Sequence, residues 1–267
     1  MPVTNADSPM LRVLRYLWRV PLLLWHALVH LPLVLLLISL PRALRERRLR
    51  SGESFEHRVM RAWQAGLMRV FGYRTRRFGT PLPGATLFVA NHVSWLDIVA
   101  LHSQRMLGFV AKREIAGWPL VGRLAQRGET IFHQRGDTGS LGGVMEEMSR
   151  RLSAGRSVAV FPEGRTRDGR EVGPFHARIF LAAVESGAPV QPVALRYGRA
   201  GDAQSRIAFA PRENFAGNFL RLLGARGGDA EVHFLEPIAS SDIEGRRRIA
   251  EVARQRIVEV MQESRTR

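Results

Sequence analysis

The strongest constraint on the fold is an uncharged segment near the N-terminus. No Asp, Glu, Lys or Arg lies between Arg19 and Arg42, where the chain reads VPLLLWHALVHLPLVLLLISLP. About 20 apolar residues are enough for a helix to cross a bilayer. Pro32 should bend or break such a helix, and a broken apolar helix is equally compatible with lying in one leaflet. The segment therefore predicts membrane attachment and leaves open whether the chain crosses the bilayer.

Arginine residues flank this segment unequally. A smaller group precedes it and a larger group follows it (Arg12, Arg15 and Arg19, then Arg42, Arg45, Arg47, Arg48 and Arg50). Basic residues are enriched on the cytoplasmic side of membrane proteins. We therefore expect the protein at the inner (cytoplasmic) membrane, with the rest of the chain facing the cytoplasm.

A second apolar pattern follows at 55–71. Phe55, Trp63 and Phe71 fall with other apolar residues largely on one helical face. The pattern fits either an interfacial helix or an amphipathic helix that packs on the remaining domain. We assign residues 1–72 to an N-terminal membrane-associated helical region.

Composition narrows the functional classes. A net charge of +16 and a pI of about 11.6 indicate an anionic neighbour, such as phospholipid head groups, phosphorylated substrates or nucleic acid. Aromatic residues make up only 8% of the chain and no nucleic-acid-binding motif is present, so we expect no nucleic-acid partner. The absence of cysteine excludes disulfides, thiolate metal sites and cysteine nucleophiles.

From Tyr73 onward, strand-like and helix-like segments alternate. We predict strands at 86–90, 107–111, 130–133, 157–161, 190–197, 206–210 and 231–235, and helices at 95–104, 119–126, 140–152, 177–186, 214–223 and 242–263. Gly155 and Gly187 are expected to end helices, and Ser241 with Glu244 fits a capping box. The alternation predicts an α/β domain over 73–267, with a mainly parallel sheet flanked by helices.

The stretch TLFVANHVSWLDIVAL, at 86–101, predicts a buried strand, a turn and a helix. His92 lies at the turn and Asp97 in the first helical turn, so the bend can bring the two side chains together. A carboxylate on one ring nitrogen fixes the tautomer of an imidazole that acts as a general base. No serine or cysteine nucleophile is required if the proton that the imidazole removes belongs to a substrate alcohol. The alternative is that His92 caps the helix or satisfies a loop carbonyl.

Other polar residues follow the predicted strands. In parallel α/β sheets, ligands bind outside the carboxyl ends of the strands. Lys112 and Arg135 come at two such ends, and cations there suit a phosphate. The run FPEGR places Glu163 and Gly164 in a turn whose backbone N–H groups can approach a ligand. Solvated surface charges and an ordinary turn are the alternatives.

Histidines elsewhere do not suggest a metal site. His26, His30 and His102 lie in apolar sequence surroundings without nearby carboxylate ligands. We therefore expect no metal and no redox cofactor.

Four blocks of the chain resemble a known family. NHVSWLD at 91–97, GETIFHQR at 128–135, FPEGR at 161–165 and PVQPVAL at 189–195 resemble, in order and spacing, those of the glycerolipid acyltransferases, the group typified by 1-acyl-sn-glycerol-3-phosphate acyltransferase. The resemblance implies transfer of a fatty acyl group from acyl-CoA or acyl-carrier protein to the free hydroxyl of a membrane lysophospholipid. With 1-acyl-sn-glycerol-3-phosphate as acceptor, the product is phosphatidic acid.

The resemblance also implies roles for individual residues. His92 deprotonates the acceptor hydroxyl and Asp97 orients His92, without an acyl-enzyme. The implied acceptor site contains Lys112, Arg135, Glu163, Gly164, Arg165 and Thr166. The family usually has threonine directly after the glycine of the third block, whereas Arg165 stands there in this chain and Thr166 follows.

Two alternatives to lysophosphatidate acylation remain open. The C-terminal tail, NFLRLLGARGGDAEVHFLEPI, resembles bacterial relatives that acylate lyso-ornithine lipid, an acceptor without phosphate. From a different class, a non-catalytic basic protein that binds anionic membranes would also explain the charge.

Overall fold

The computed structural model describes residues 8–50, 52–117, 121–133, 138–239 and 245–263. The α-helices are α1 (Pro9–Trp25), α2 (Leu31–Leu37), α3 (Arg42–Arg45), α4 (Phe55–Val70), α5 (Leu96–Gln104), α6 (Val121–Arg127), α7 (Thr138–Ser153), α8 (Leu181–Ser186), α9 (Gln204–Ile207), α10 (Phe215–Gly224) and α11 (Arg246–Glu263). The strands are β1 (Tyr73–Phe78), β2 (Leu87–Ala90), β3 (Gly108–Lys112), β4 (Ile131–His133), β5 (Val158–Val160), β6 (Val190–Tyr197) and β7 (Gly228–Phe234).

One mixed sheet joins these strands in the order β1-β7-β6-β2-β5-β3-β4. Strands β2 to β6 run parallel to one another, β7 is antiparallel to β6, and β1 is parallel to β7. The predicted α/β fold with a mainly parallel sheet and flanking helices is confirmed. Since β2 lies between β5 and β6, the loops that follow these three strands meet at one edge.

Strand β2 divides the core into two layers. Leu87 and Val89 face the cluster that includes α7, α8 and α11, whereas Phe88 and Ala90 face the cluster that includes α4, α5 and α10. Burial of each large apolar side chain contributes about 1.5–3 kcal/mol. The alternation of side chains along this buried strand therefore fixes where its carboxyl end emerges.

The N-terminal apolar segment is helical up to Leu37 and then turns at 38–40. Residues Pro9–Leu37 form a helix that is long and apolar enough to cross a membrane, judged by length and composition. No break occurs at Pro32, because a π-helical turn at His26–His30 precedes the proline and the helix continues into α2. A wider turn of this kind accommodates the ring and missing N–H of a proline within a helix.

The burial of helix α4 distinguishes the two interpretations of the apolar pattern at 55–71, an interfacial helix and a helix packed on the remaining domain. Met60, Met68 and Val70 are buried, and Met68 and Val70 belong to the main core. The Ser54 hydroxyl caps the helix by accepting a hydrogen bond from His57 N at 3.2 Å. The pattern is therefore that of an amphipathic helix packed on the α/β domain.

The predicted strands and the observed strands differ at two places. The predicted strand at 206–210 is wrong, because Gln204–Ile207 is a short helix whose Gln204 side chain bonds the end of β6. Strand β1 was not predicted, because its sequence YRTRRF is charged. Such charge is typical of an exposed edge strand. The capping box at Ser241 and Glu244 lies outside the described residues.

Candidate active site

The turn at 91–97, called the catalytic turn because it carries the candidate base His92, is built around the fully buried carboxylate of Asp97. His92 Nδ1 lies 2.8 Å from Asp97 Oδ2, so the expected juxtaposition is confirmed. The same oxygen accepts backbone N–H bonds from Val93 at 2.7 Å and Ser94 at 2.9 Å. The hydroxyl of Tyr197 donates to Asp97 Oδ1 at 2.7 Å. Both oxygens of this buried carboxylate are therefore satisfied by hydrogen-bond donors.

The ring of His92 is held on one face by Phe161. The two rings are stacked, with centroids 3.9 Å apart and planes 12° apart. The side chain of His92 is 16% exposed, in contrast to that of Asp97. With Nδ1 at Asp97, Nε2 is the ring nitrogen left for a substrate proton.

The backbone of His92 is fixed by the loop that follows β5. Glu163 Oε1 accepts from His92 N at 2.9 Å, and Oε2 accepts from Gly173 N at 2.8 Å. Arg167 N donates to the carbonyl of His92 at 2.8 Å. Arg167 Nε also lies 3.3 Å from Glu163 Oε2, as an ion pair rather than a directed hydrogen bond. Glu163 thus orients the catalytic turn, and its contact with an acceptor head group remains a prediction.

Burial shifts the pKa values of two groups at this turn. Desolvation raises the pKa of the Glu163 carboxyl, against the opposing effect of the Gly173 and His92 N–H donors. Desolvation, followed by the charge of Asp97, raises the pKa of the Tyr197 hydroxyl well above its ordinary value. Tyr197 therefore remains a neutral hydrogen-bond donor at physiological pH.

A cleft of about 270 Å³ opens beside His92. Its lining combines the catalytic turn, the loop after β5 and one face of α11 (Asn91, His92 and Val93; Glu163, Arg167, Gly169, Arg170, Glu171 and Val172; Arg254, Val258, Met261 and Gln262; and Gln204). Arg254 fastens α11 to the loop by donating to the carbonyls of Gly173 and Val172 at 2.8 and 2.7 Å. A cleft with arginines beside apolar side chains suits a ligand with a charged head and an apolar chain.

The remaining predicted site residues are placed as follows. Gly164 closes a turn by donating to the carbonyl of Phe161 at 3.0 Å, with a φ of +69° that favours glycine. Arg165 is exposed and Thr166 half-buried in the same loop. The backbone of Lys112 lies at the carboxyl end of β3, opposite His133. Arg135 lies outside the described residues.

Sequence reasoning missed two parts of this site. Tyr197 ends β6, the strand beside β2, so its position at the same sheet edge was an available signal. On α11, Arg254, Val258 and Met261 recur at intervals of four and three residues, which places them on one helical face.

Comparisons with known proteins place this geometry in context. A family model described as Acyltransferase matches residues 77–196. The chain is 36% identical over 198 residues to the lyso-ornithine lipid O-acyltransferase of Pseudomonas aeruginosa, covering 74% of this chain and 75% of that protein. It is 34% identical over 224 residues to the lyso-ornithine lipid O-acyltransferase of Brucella abortus, covering 78% and 81%.

A shorter match and a structural match complete the comparison. The chain is 38% identical over 129 residues to the 1-acyl-sn-glycerol-3-phosphate acyltransferase of Neisseria gonorrhoeae, covering 48% of this chain and 51% of that protein. The crystal structure of the 1-acyl-sn-glycerophosphate acyltransferase from Thermotoga maritima aligns with a TM-score of 0.74 and 19% identity, covering 96% and 98% of the two chains. At this identity the structural match supports the shared fold alone.

Proposed function

The chain belongs to the acyltransferase family as an O-acyltransferase, and we propose that it moves a fatty acyl group from acyl-CoA or acyl-carrier protein to the free hydroxyl of a membrane lysolipid. The observation that carries this proposal is the 2.8 Å contact between His92 Nδ1 and the buried carboxylate of Asp97, beside an open cleft. This arrangement occupies Nδ1 and leaves Nε2 as the ring nitrogen that can accept a proton from a substrate.

The proposed reaction is a direct transfer between the two substrates. The acceptor hydroxyl gives its proton to His92 Nε2 while its oxygen attacks the thioester carbonyl. The carbon–sulfur bond then breaks, and the departing thiolate takes the proton from the imidazolium. Asp97 stabilises the imidazolium that exists between these two steps. No further cofactor is needed for this balance.

Two lysolipids are candidate acceptors. Lysophosphatidate is the acceptor that the four sequence blocks imply, and it would use cations near the cleft. Lyso-ornithine lipid is the second candidate, supported by relatives whose matches extend over 74% and 78% of this chain, compared with 48% for the neisserial match. The arginine in place of threonine at position 165 is a further reason to test a different head group.

The proposed location is the inner membrane, with the α/β domain facing the cytoplasm. The exposed apolar side chains of α1 and α2 support lipid contact, and Leu28 is 71% exposed. Part of the arginine group after α2 is engaged within the protein, since Arg45 pairs with Glu56 at 2.7 Å and Arg42 with Glu46 at 2.8 Å. Arg48 donates to the carbonyl of Gly52 at 3.0 Å. Arg47 and Arg50 are exposed and would meet anionic lipid.

An acceptor panel tests the function directly. Purified protein in detergent receives labelled acyl-CoA or acyl-carrier protein with lysophosphatidate, lyso-ornithine lipid or other lysolipids. We expect acylation of at least one acceptor, and a loss of about 10²–10⁴-fold in His92→Ala. Asp97→Asn should fall similarly, while His57→Gln, a histidine change in α4, should keep the wild-type rate. Transfer that survives His92→Ala, or binding to anionic vesicles without any transfer, would overturn the proposal.

A further inference from the structure

The hydrogen bond between Tyr197 and Asp97 involves a residue outside the four sequence blocks, since Tyr197 follows the last of them. Tyr197 is 1% exposed, and its hydroxyl lies 2.7 Å from Asp97 Oδ1, on the carboxylate oxygen that His92 does not use. The two residues are 100 positions apart in the chain. A buried hydroxyl that bonds directly to the carboxylate of a base-orienting pair can affect the reaction without touching a substrate.

The direction of this effect follows from the chemistry of the carboxylate. Each donor that bonds Asp97 spreads part of its negative charge and lowers its attraction for a proton on His92. The backbone donors of Val93 and Ser94 are fixed parts of the turn, whereas the Tyr197 donor comes from a side chain. Without that donor, the buried carboxylate would bind the imidazolium more strongly, because no solvent replaces the lost bond.

We propose, on the basis of the general-base function assigned to His92, that Tyr197 is a positioning residue that weakens the hold of Asp97 on the imidazolium. Its hydroxyl thereby keeps His92 in the free-base form down to a lower pH than the carboxylate alone would allow. The same bond fixes the second oxygen of Asp97 and so the plane of the carboxylate against the His92 ring.

Other titratable and charged groups face this pair. Tyr73 of β1 meets the ring of Tyr197 edge-on at 5.9 Å, and burial raises the pKa of Tyr73 to about 12. Glu163 and Arg167 approach from the loop after β5, and Arg254 faces the cleft from α11. Glu163 and Glu171, which both line the cleft, are the carboxyls whose titration must be separated from that of His92.

Tyr197→Phe is a suitable variant because the rest of the residue is held independently. Tyr197 N donates to Gln204 Oε1 at 3.0 Å, and the ring remains packed against Tyr73. Tyr73→Phe removes a neighbouring buried phenol hydroxyl and provides the matched control. Replacement of Tyr197 by 3-fluorotyrosine, introduced at that codon, provides a stronger donor of almost the same shape.

The experiment measures kcat/KM for acyl transfer against pH, with release of the CoA thiol as the readout. All variants receive the same acceptor from the panel, so the acceptor's own ionisation is common to every curve. We expect Tyr197→Phe to move the acidic limb upward by about one pH unit, since one hydrogen bond is comparable to one unit of proton affinity. Activity below the limb then falls about tenfold, with a plateau within a few-fold of wild type.

The fluorinated protein should move the limb in the opposite direction, and Tyr73→Phe should leave it in place. Glu163 and Glu171 are the same in every variant, so their titration is common to all the curves. Superimposable wild-type and Tyr197→Phe profiles, or an equal loss at every pH, would overturn the inference while leaving the general-base function intact. Survival of activity in His92→Ala would instead overturn the proposed function itself.

Discussion

The Asn91 side chain pairs with the backbone of Leu195 as though it were one more residue of strand pairing. Asn91 Oδ1 accepts from Leu195 N at 2.8 Å, and Asn91 Nδ2 donates to the Leu195 carbonyl at 3.0 Å. Both bonds are buried. The end of β2 is thereby tied to β6 one residue before His92, so the catalytic turn starts from a fixed point.

We predict that Asn91→Ala weakens both the fold and the reaction. Loss of two buried hydrogen bonds, with the Leu195 N–H left unpaired while its carbonyl keeps the Gln204 donor, should lower the free energy of unfolding by about 2–4 kcal/mol. Because His92 is the next residue, kcat/KM should also fall. Denaturant unfolding in detergent, followed by circular dichroism, measures the first effect. Gln255→Ala, which removes an exposed amide on α11, is the control, and equal stability of the two variants would refute the prediction.

Local sequence was sufficient for much of the site because its parts are near one another in the chain. The apolar strand, the polar turn and the helix at 86–101 predicted β2 and α5, and the five-residue separation of His92 and Asp97 predicted their contact. Parallel pairing then explained why the loop after β5 reaches the same edge.

The unpredicted parts depend on contacts between distant segments. Tyr197 reaches Asp97 only because β6 pairs with β2, and α11 reaches the cleft only after the sheet has formed. The short helix at Gln204–Ile207 replaced an expected strand because Gln204 is used to bond Tyr197 N and the Leu195 carbonyl. Neither local propensity nor hydrophobic pattern contains these pairings.

Arg19 joins the N-terminal helix to the α/β domain. Its Nη1 atom donates to the carbonyls of Leu223 and Ala225 at 2.9 and 2.8 Å, at the C-terminal end of α10. We predict that Arg19→Met lowers the free energy of unfolding by about 2 kcal/mol or more, because two carbonyls lose a charged donor. Arg12→Met, an exposed change on the same helix, should have little effect. Thermal unfolding in detergent compares them, and equal melting temperatures would contradict the assigned role.

The apolar face of the N-terminal helix should contact lipid. Since the chain has no cysteine, single cysteines can carry a spin label without background. We predict that a label at Leu28→Cys, whose native side chain is 71% exposed, is accessible to oxygen and protected from a water-soluble nickel complex in phospholipid vesicles. A label at Val184→Cys on α8, where the native side chain is 39% exposed, should show the reverse.

Labels along the same helix distinguish crossing from one-leaflet attachment. A helix of 29 residues is about 43 Å long, which exceeds the hydrocarbon thickness of about 30 Å. If it crosses, labels at Met10 and Leu36 should be shallow and a label at Leu24 deep. A helix in one leaflet would give no label near the bilayer centre. In the comparison of Leu28→Cys with Val184→Cys, equal exposure of the two labels to the water-soluble nickel complex would contradict lipid contact.

Glu213 makes the stability of the α10 region depend on pH. Arg221 donates to both carboxylate oxygens at 2.7 and 2.9 Å, and this hydrogen bonding is the main cause that lowers the pKa of Glu213 to about 2. Because the folded pKa is below the unfolded value of about 4.3, the stabilisation is fully present above pH 5 and is lost as pH falls toward 2. Glu213 also holds Asn218, which accepts the indole N–H of Trp95 beside the catalytic turn.

We therefore predict that Glu213→Gln lowers the free energy of unfolding by about 1–3 kcal/mol at pH 7, and that this difference disappears near pH 2. Glu251→Gln removes an exposed carboxylate that pairs with Arg248 at 3.2 Å on α11, and should change stability little at either pH because water screens that pair. Denaturant unfolding of the three proteins across pH 2–7 measures the differences. A gap between wild type and Glu213→Gln that stays constant over this range would show that the lost stability comes from packing rather than from the charge of Glu213.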